Sequence, residues 1–199
     1  MQKTLMMLHG LTGSADLMEP FAKKICPDNC NLVIPNGTFK HDEKGFCWWQ
    51  YKIDQENKTK HDLEITDSLL KEIYSSIEYL NAMLPDEGDL IIGGFSQGGA
   101  MAQIMLLSEL ASRISGLILL GTRPINNEKL RTALRKLNPF PVLWMHGSSD
   151  EIITYKDAEN LVDIFEDEGW IVTKIRHKKG HMIPLEHHDE VIEFVKKLI

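Results

Sequence analysis

Leu90-Ile91-Ile92-Gly93-Gly94-Phe95-Ser96-Gln97-Gly98-Gly99-Ala100 is the stretch on which the fold turns. An apolar run that stops at glycines reads as a buried strand. The residues behind it read as a serine on a tight strand-to-helix turn, the G-x-S-x-G nucleophile elbow. Such a turn holds its serine in strained backbone with the hydroxyl exposed above the sheet. Gly94 and Gly98, two positions either side of Ser96, present no Cβ to the neighbouring strand and helix. Nucleotide-binding readings fail here, because the stretch has no P-loop lysine and its glycine spacing is not G-x-G-x-x-G.

Outward from the elbow, short apolar runs alternate with segments of helical period. Thr4–Leu8, Leu32–Ile34, Leu90–Ile92, Leu117–Leu120, Val142–Met145 and Ile171–Ile175 are the expected strands. Leu69, Leu70, Ile73, Ile77, Leu80 and Leu84 fall three or four apart, as do Ala158, Leu161, Val162 and Phe165, and then Val191, Val195 and Leu198. Thr154 with Asp157 three residues on marks a helix start, and Gly169 marks its end. Apolar strands set between helices predict an α/β chain with a mostly parallel sheet and helices on both faces. No repeat, low-complexity tract or linker interrupts residues 1–199, so one domain is expected.

The bulk numbers narrow the function classes. At 199 residues and 43% hydrophobic content, the chain can bury one substantial core. A net charge of −7 and a pI near 5.6 argue against a nucleic-acid partner, which needs a basic face. Apolar runs of only a few residues predict no membrane span, and Leu5–Leu8 is cut off too early by His9-Gly10 for a signal-peptide core. Cys26, Cys30 and Cys47 form an odd, sparse set that suits a reducing compartment, so a soluble cytoplasmic protein is expected. With His41 they can be drawn as a zinc quartet. The ligand-spacing rules favour compact pairs, however, and the apolar run Leu32–Ile34 lies between the supposed ligands. No metal is expected.

A serine hydroxyl is a weak nucleophile until a base removes its proton, and the base needs an orienting acid. On a sheet of this kind the chain order is serine, acid, histidine, with acid and base on loops after strand C-termini. Asp150, 54 residues beyond Ser96 and behind the turn His146-Gly147-Ser148-Ser149, meets the acid requirement; Glu151 is its rival. Among eight histidines, His181 in Lys179-Gly180-His181-Met182 combines the right order, a loop apex and a preceding glycine. His177 lies near the end of a strand, His187 and His188 open the last helix and are expected to face solvent, and His9 and His146 precede the acid. Oxyanion donors are expected from backbone amides. Gln97 at the helix start is one, and Leu11 in the loop His9-Gly10-Leu11-Thr12-Gly13-Ser14 is the other.

With those motifs in hand, the chain resembles the phospholipase/carboxylesterase family of α/β-hydrolases, which includes the acyl-protein thioesterases. The likeness runs almost the whole length. It rests on Leu8-His9-Gly10-Leu11, Gly93-Gly94-Phe95-Ser96-Gln97-Gly98-Gly99-Ala100, His146-Gly147-Ser148-Ser149-Asp150 and Gly180-His181. The resemblance implies hydrolysis of a small-molecule ester or thioester through an acyl-enzyme, with no cofactor and with Leu11 and Gln97 as oxyanion donors. It also implies that the tryptophan segment, through Trp49, borders the substrate cleft.

That segment, from Asn36 to His61, is polar and long yet carries Phe46, Trp48, Trp49 and Tyr51, which either pin it to the body or shape a site. Three positions depart from the family pattern. Gln50-Tyr51 stands where Phe and Asp often follow the tryptophan, Ile153-Thr154 where Val-Pro is common behind the acid, and Thr122-Arg123 where an aromatic and a leucine are usual. Arg123 either turns to solvent or biases the cleft towards short acyl groups or anionic leaving parts. A non-catalytic binding protein on the same fold and an acyltransferase using the same triad are the alternatives. The sequence leaves monomer and homodimer undistinguished.

Overall fold

The computed structural model describes residues 2–50 and 66–199. In chain order it contains β1 (Thr4–Leu8), α1 (Ala15–Ile25), β2 (Asn31–Val33), β3 (Phe39–Lys40), β4 (Phe46–Cys47), α2 (Asp67–Ala82), β5 (Leu90–Phe95) and α3 (Gln97–Met105). These are followed by β6 (Ile114–Leu120), α4 (Asn127–Leu134), β7 (Val142–Gly147), α5 (Tyr155–Asp167), β8 (Val172–His177) and α6 (His188–Lys196). Six strands form one sheet in the order β2-β1-β5-β6-β7-β8, and each neighbouring pair is parallel.

Alternation along these strands divides the apolar residues between two cores. Leu5, Met7, Ile91, Ile118, Leu120, Leu143 and Met145 face α1 and α6. Their neighbours Met6, Leu8, Leu90, Ile92, Leu117, Leu119, Val142 and Trp144 face α2, α3, α4 and α5. Continuous apolar runs are thus what a strand covered on both sides requires. The expected fold class holds.

Some boundaries move. The ladder of β2 takes in Asn31 and stops at Val33, since Pro35 has no N–H to carry it on. On β8, Trp170 turns into the core while Ile171 is 84% exposed, so the strand starts at Val172. β5 runs through both glycines to Phe95. Helix α1 is absent from the sequence-based expectation because Pro20, inside it, breaks an intrahelical bond. Ser14 caps its start by accepting from Leu17 N–H, and Met18, Phe21, Ala22 and Ile25 bury one stripe. Thr154 and Gly169 bound α5 as expected: Thr154 Oγ1 accepts from Asp157 N–H at 3.2 Å, and Gly169 takes φ +82°.

The antiparallel pair β3–β4 stands apart from the main sheet. It docks on the loop after β1, where Phe46 N–H donates to Gly13 O at 2.8 Å. Gly45, at φ +63°, lets the backbones meet; a Cβ there would lie 2.3 Å from Thr12 O.

Two isoleucines give a contrast for measurement. Ile118, fully buried on β6, should cost about 2–5 kcal/mol of stability as Ile118→Ala in urea unfolding. Ile171→Ala should stay within about 0.5 kcal/mol of the parent. Equal losses would contradict this burial pattern.

Candidate active site

Ser96 sits between β5 and α3 with φ 52° and ψ −117°, a conformation rare for any residue bearing a side chain. Two close approaches make it possible. A Cβ on Gly94 would lie 2.3 Å from Gly98 C and O, and one on Gly98 would lie 2.2 Å from Leu8 O. Ser96 N–H donates to Leu120 O at 2.9 Å, which ties the turn to the end of β6. Its hydroxyl makes no capping bond to α3, so α3 does not tie it down.

Asp150 and His181 come together across the same sheet edge. His181 Nδ1 lies 2.7 Å from Asp150 Oδ2. Because a carboxylate accepts, Nδ1 carries the proton and Nε2 is left as a base. The imidazole packs on Phe95, the residue before Ser96, with ring centroids 4.7 Å apart. Asp150 Oδ1 accepts from Ile152 N–H and Ile153 N–H, each at 2.9 Å. Burial is the largest influence on this carboxyl and opposes its charge. Hydrogen bonds from Ile153, His181 and Ile152 together outweigh it and hold the group below the usual aspartate range. Glu151 is exposed.

The sequence profile of the Phospholipase/Carboxylesterase family matches residues 1–199. The chain belongs to this family. Acyl-protein thioesterase 1 of Cryptococcus neoformans is 26% identical over 172 residues, covering 80% of this chain and 71% of that protein. Acyl-protein thioesterase 1 homolog 1 of Dictyostelium discoideum is 26% identical over 213 residues, covering 98% and 90%. Among solved structures, esterase PE8 superposes with a TM-score of 0.78 at 22% identity, covering 100% of this chain and 93% of that one. Membership makes the chain a carboxylic ester hydrolase.

In this hydrolase the loop after β1 and the tryptophan segment are one hydrogen-bonded unit. Gln97 opens α3, and its side chain clamps the segment: Oε1 accepts from Trp48 N–H at 3.0 Å and Nε2 donates to Trp49 O at 2.9 Å. Trp48 Nε1 donates to His9 O at 2.8 Å, and Ser76 Oγ on α2 donates to Trp48 O at 2.5 Å. Trp48 is fully buried and Trp49 is 3% exposed in the core beside α2 and α3. These aromatics pin their segment to the body. Tyr51 and the rest of the segment to His61 lie outside the described residues.

Leu11 occupies the turn after β1 and is half-buried. Arg123, two residues past Gly121, is half-buried as well, and its carbonyl accepts from Gln103 Nε2 at 3.0 Å. His177 closes β8, and its Nδ1 accepts from Lys179 N–H at 3.3 Å. His188 does not face solvent as expected: it shares the buried face of α6 with Val191 and Val195 and meets Phe21 at 4.9 Å.

Chain order set His146 aside, yet it is fully buried beside the acid. Its Nε2 lies 2.9 Å from Ile153 O and 3.3 Å from Asp150 Oδ2. The carbonyl can only accept, so Nε2 carries the proton. Burial, chiefly, pushes the ring's pKa down and keeps it neutral.

With its folded pKa depressed, Asp150 contributes stability at neutral pH that is lost as pH falls through that pKa. Urea midpoints of the parent should drop from about pH 4 downward. Asp150→Asn, which has no such titration, should drop less over the same window. Parallel pH dependence in the two proteins would show that Asp150 is not held ionised by folding.

Proposed function

We propose that Ser96, His181 and Asp150 form the triad of a hydrolase that cleaves carboxylic esters or thioesters through an acyl-enzyme. The observation that carries this reading is the 2.7 Å Asp150–His181 pair set against Phe95, directly before a serine at φ 52°. Ser96 Oγ attacks the substrate carbonyl carbon while His181 Nε2 takes its proton. Negative charge then moves to the carbonyl oxygen, where the amides of Leu11 and Gln97 stabilise it; the start of α3 adds its dipole. Collapse expels the alcohol or thiol, which leaves with the proton from His181. Water attacks the acyl-Ser96 ester by the same steps reversed. Asp150 stays ionised throughout, holding the imidazole's tautomer and offsetting its charge.

The likeness to acyl-protein thioesterases favours acyl-thioesters among the substrates. A cytoplasmic setting belongs to the same proposal, supported by the free thiols of Cys26, Cys30 and Cys47. Trp49 borders the substrate cleft in this reading, from a ring that is otherwise packed in the core. Arg123, half-buried two residues past Gly121, biases the site towards short acyl groups or anionic leaving parts in this reading, since a guanidinium pairs well with carboxylate or phosphate.

A fluorophosphonate probe should label the parent and not Ser96→Ala, and that variant should lose at least about 10⁴-fold in kcat/KM on p-nitrophenyl esters. Asp150→Ala should lose about 10³–10⁴-fold while Glu151→Ala stays near the parent. An unlabelled parent, or loss with Glu151→Ala alone, would sink the assignment. On Arg123, replacement by leucine should lower selectivity for anionic over neutral esters about tenfold. Unchanged selectivity across a panel of both ester types would remove Arg123 from the specificity argument.

A further inference from the structure

Hydrolysis as described needs the Leu11 N–H held in one direction, and the Leu11 side chain does not do that. The N–H belongs to the same peptide unit as the Gly10 carbonyl. A trans peptide is planar, with its C=O and N–H vectors opposed, and no cis bond occurs among the described residues. Whatever fixes the Gly10 oxygen therefore aims the Leu11 hydrogen.

Two groups meet that oxygen. His9 Nδ1 lies 2.7 Å from it, and Gly13 N–H donates to it at 3.0 Å. The His9 tautomer follows from its other contact. Gly37 N–H donates to His9 Nε2 at 2.8 Å, so Nε2 carries no proton and the ring's single hydrogen is on Nδ1, donated to Gly10 O. The imidazole is 2% exposed and leans on the Trp48 indole with centroids 5.0 Å apart. Burial lowers its pKa, opposed by the Gly10 bond, so it stays neutral. A second proton on Nε2 would set two donors against each other at Gly37.

We propose that His9 is a positioning residue of the oxyanion hole: it fixes the Gly10–Leu11 peptide plane so that the Leu11 N–H faces the carbonyl oxygen under attack. Trp48 extends the arrangement to the other donor. Its indole N–H holds His9 O at 2.8 Å, and its backbone N–H is held by Gln97 Oε1 at 3.0 Å. The two oxyanion amides are thereby kept in register by side chains that touch no substrate. Gly13 is part of the device, since a Cβ there would stand 2.8 Å from Gly10 O and 3.0 Å from His9 Nδ1. The proposal rests on the reading of Leu11 and Gln97 as oxyanion donors. A histidine that only filled core space would set stability and leave the chemical step alone.

His9→Phe keeps the ring and removes both nitrogen contacts, while His9→Asn keeps a donor near Nδ1. His9→Phe should lower kcat about 10–100-fold, with KM within about twofold of the parent. A boronic acid that mimics the tetrahedral intermediate should lose affinity in proportion, and His9→Asn should recover most of both. Gly13→Ala should repeat the kcat loss through displacement of Gly10 O. Unchanged kcat in folded His9→Phe, or equal losses in the Phe and Asn variants, would overturn the proposal. Should His9→Phe not fold, Gly13→Ala and the ring nitrogens of the parent decide. In ¹⁵N NMR, His9 should show a protonated Nδ1 and a bare Nε2, and the reverse tautomer overturns the assignment. An inactive parent would defeat the hydrolase reading instead, leaving the tautomer measurement to judge His9 by itself.

Discussion

The left-handed backbone of Ser96 is the constraint from which the rest of the architecture follows. A residue with a side chain held there costs about 1–3 kcal/mol, and it persists only where its surroundings over-determine it. Here they do. β5 lies between β1 and β6 and is buried on both faces, so its direction is not negotiable. Directly behind it α3 must begin, with every residue from Gln97 to Met105 buried. Strand and helix can meet at this angle only if Gly94 and Gly98 carry no side chains. The turn then sits at the C-terminal edge of a parallel sheet, where the loops after β1, β7 and β8 converge.

Those loops are held by different physics. Around Asp150 the donors converge on a charge: two amides and the His181 imidazole bond one carboxylate, with the His146 ring 3.3 Å from it. Charge-assisted bonds are strong enough to keep the group ionised despite burial. At the Gly10–Leu11 peptide the contacts are neutral, and a histidine without charge acts through two weaker bonds whose value lies in direction. The acid loop is therefore sensitive to pH. The loop after β1 is sensitive to geometry, above all to any atom added at Gly13 or Gly98.

How far the sequence revealed this depended on the range of each determinant. The tight turn at Ser96 and the meeting of Asp150 with His181 were readable because each lies in a short motif with a chemical reason for its residue types. The two-sided sheet was readable because its strands are apolar at every position. Boundaries failed where one residue reversed the trend, as Ile171 does by pointing out beside the buried Trp170. His188 turns inward, against the expectation of exposure at a helix start, because it lies three positions before Val191 on the buried stripe. His9 and His146 stand inside short motifs, but the partners of their ring nitrogens, Gly37 and Ile153, lie 28 and 7 residues away, so no local pattern announces what the rings hold.

The tryptophan segment ties a structural role to the proposed catalytic one. Trp48 contributes large apolar burial, the commonest reason for an indole in a core. Yet its backbone and ring bonds are spent on Gln97, Ser76 and His9, not on a regular ladder. Each of those partners stands on a different element: the start of α3, the face of α2 and the loop after β1. Losing the ring would create a cavity, whereas losing only the indole N–H would remove one of the bonds that join the β1 loop to the tryptophan segment while leaving most of the burial in place. The separation matters for how such a site diversifies. Under the proposed triad and oxyanion donors, a change beyond Gly121, at Arg123 for example, would alter what the cleft accepts and leave the bonds among Gln97, Trp48 and His9 in place.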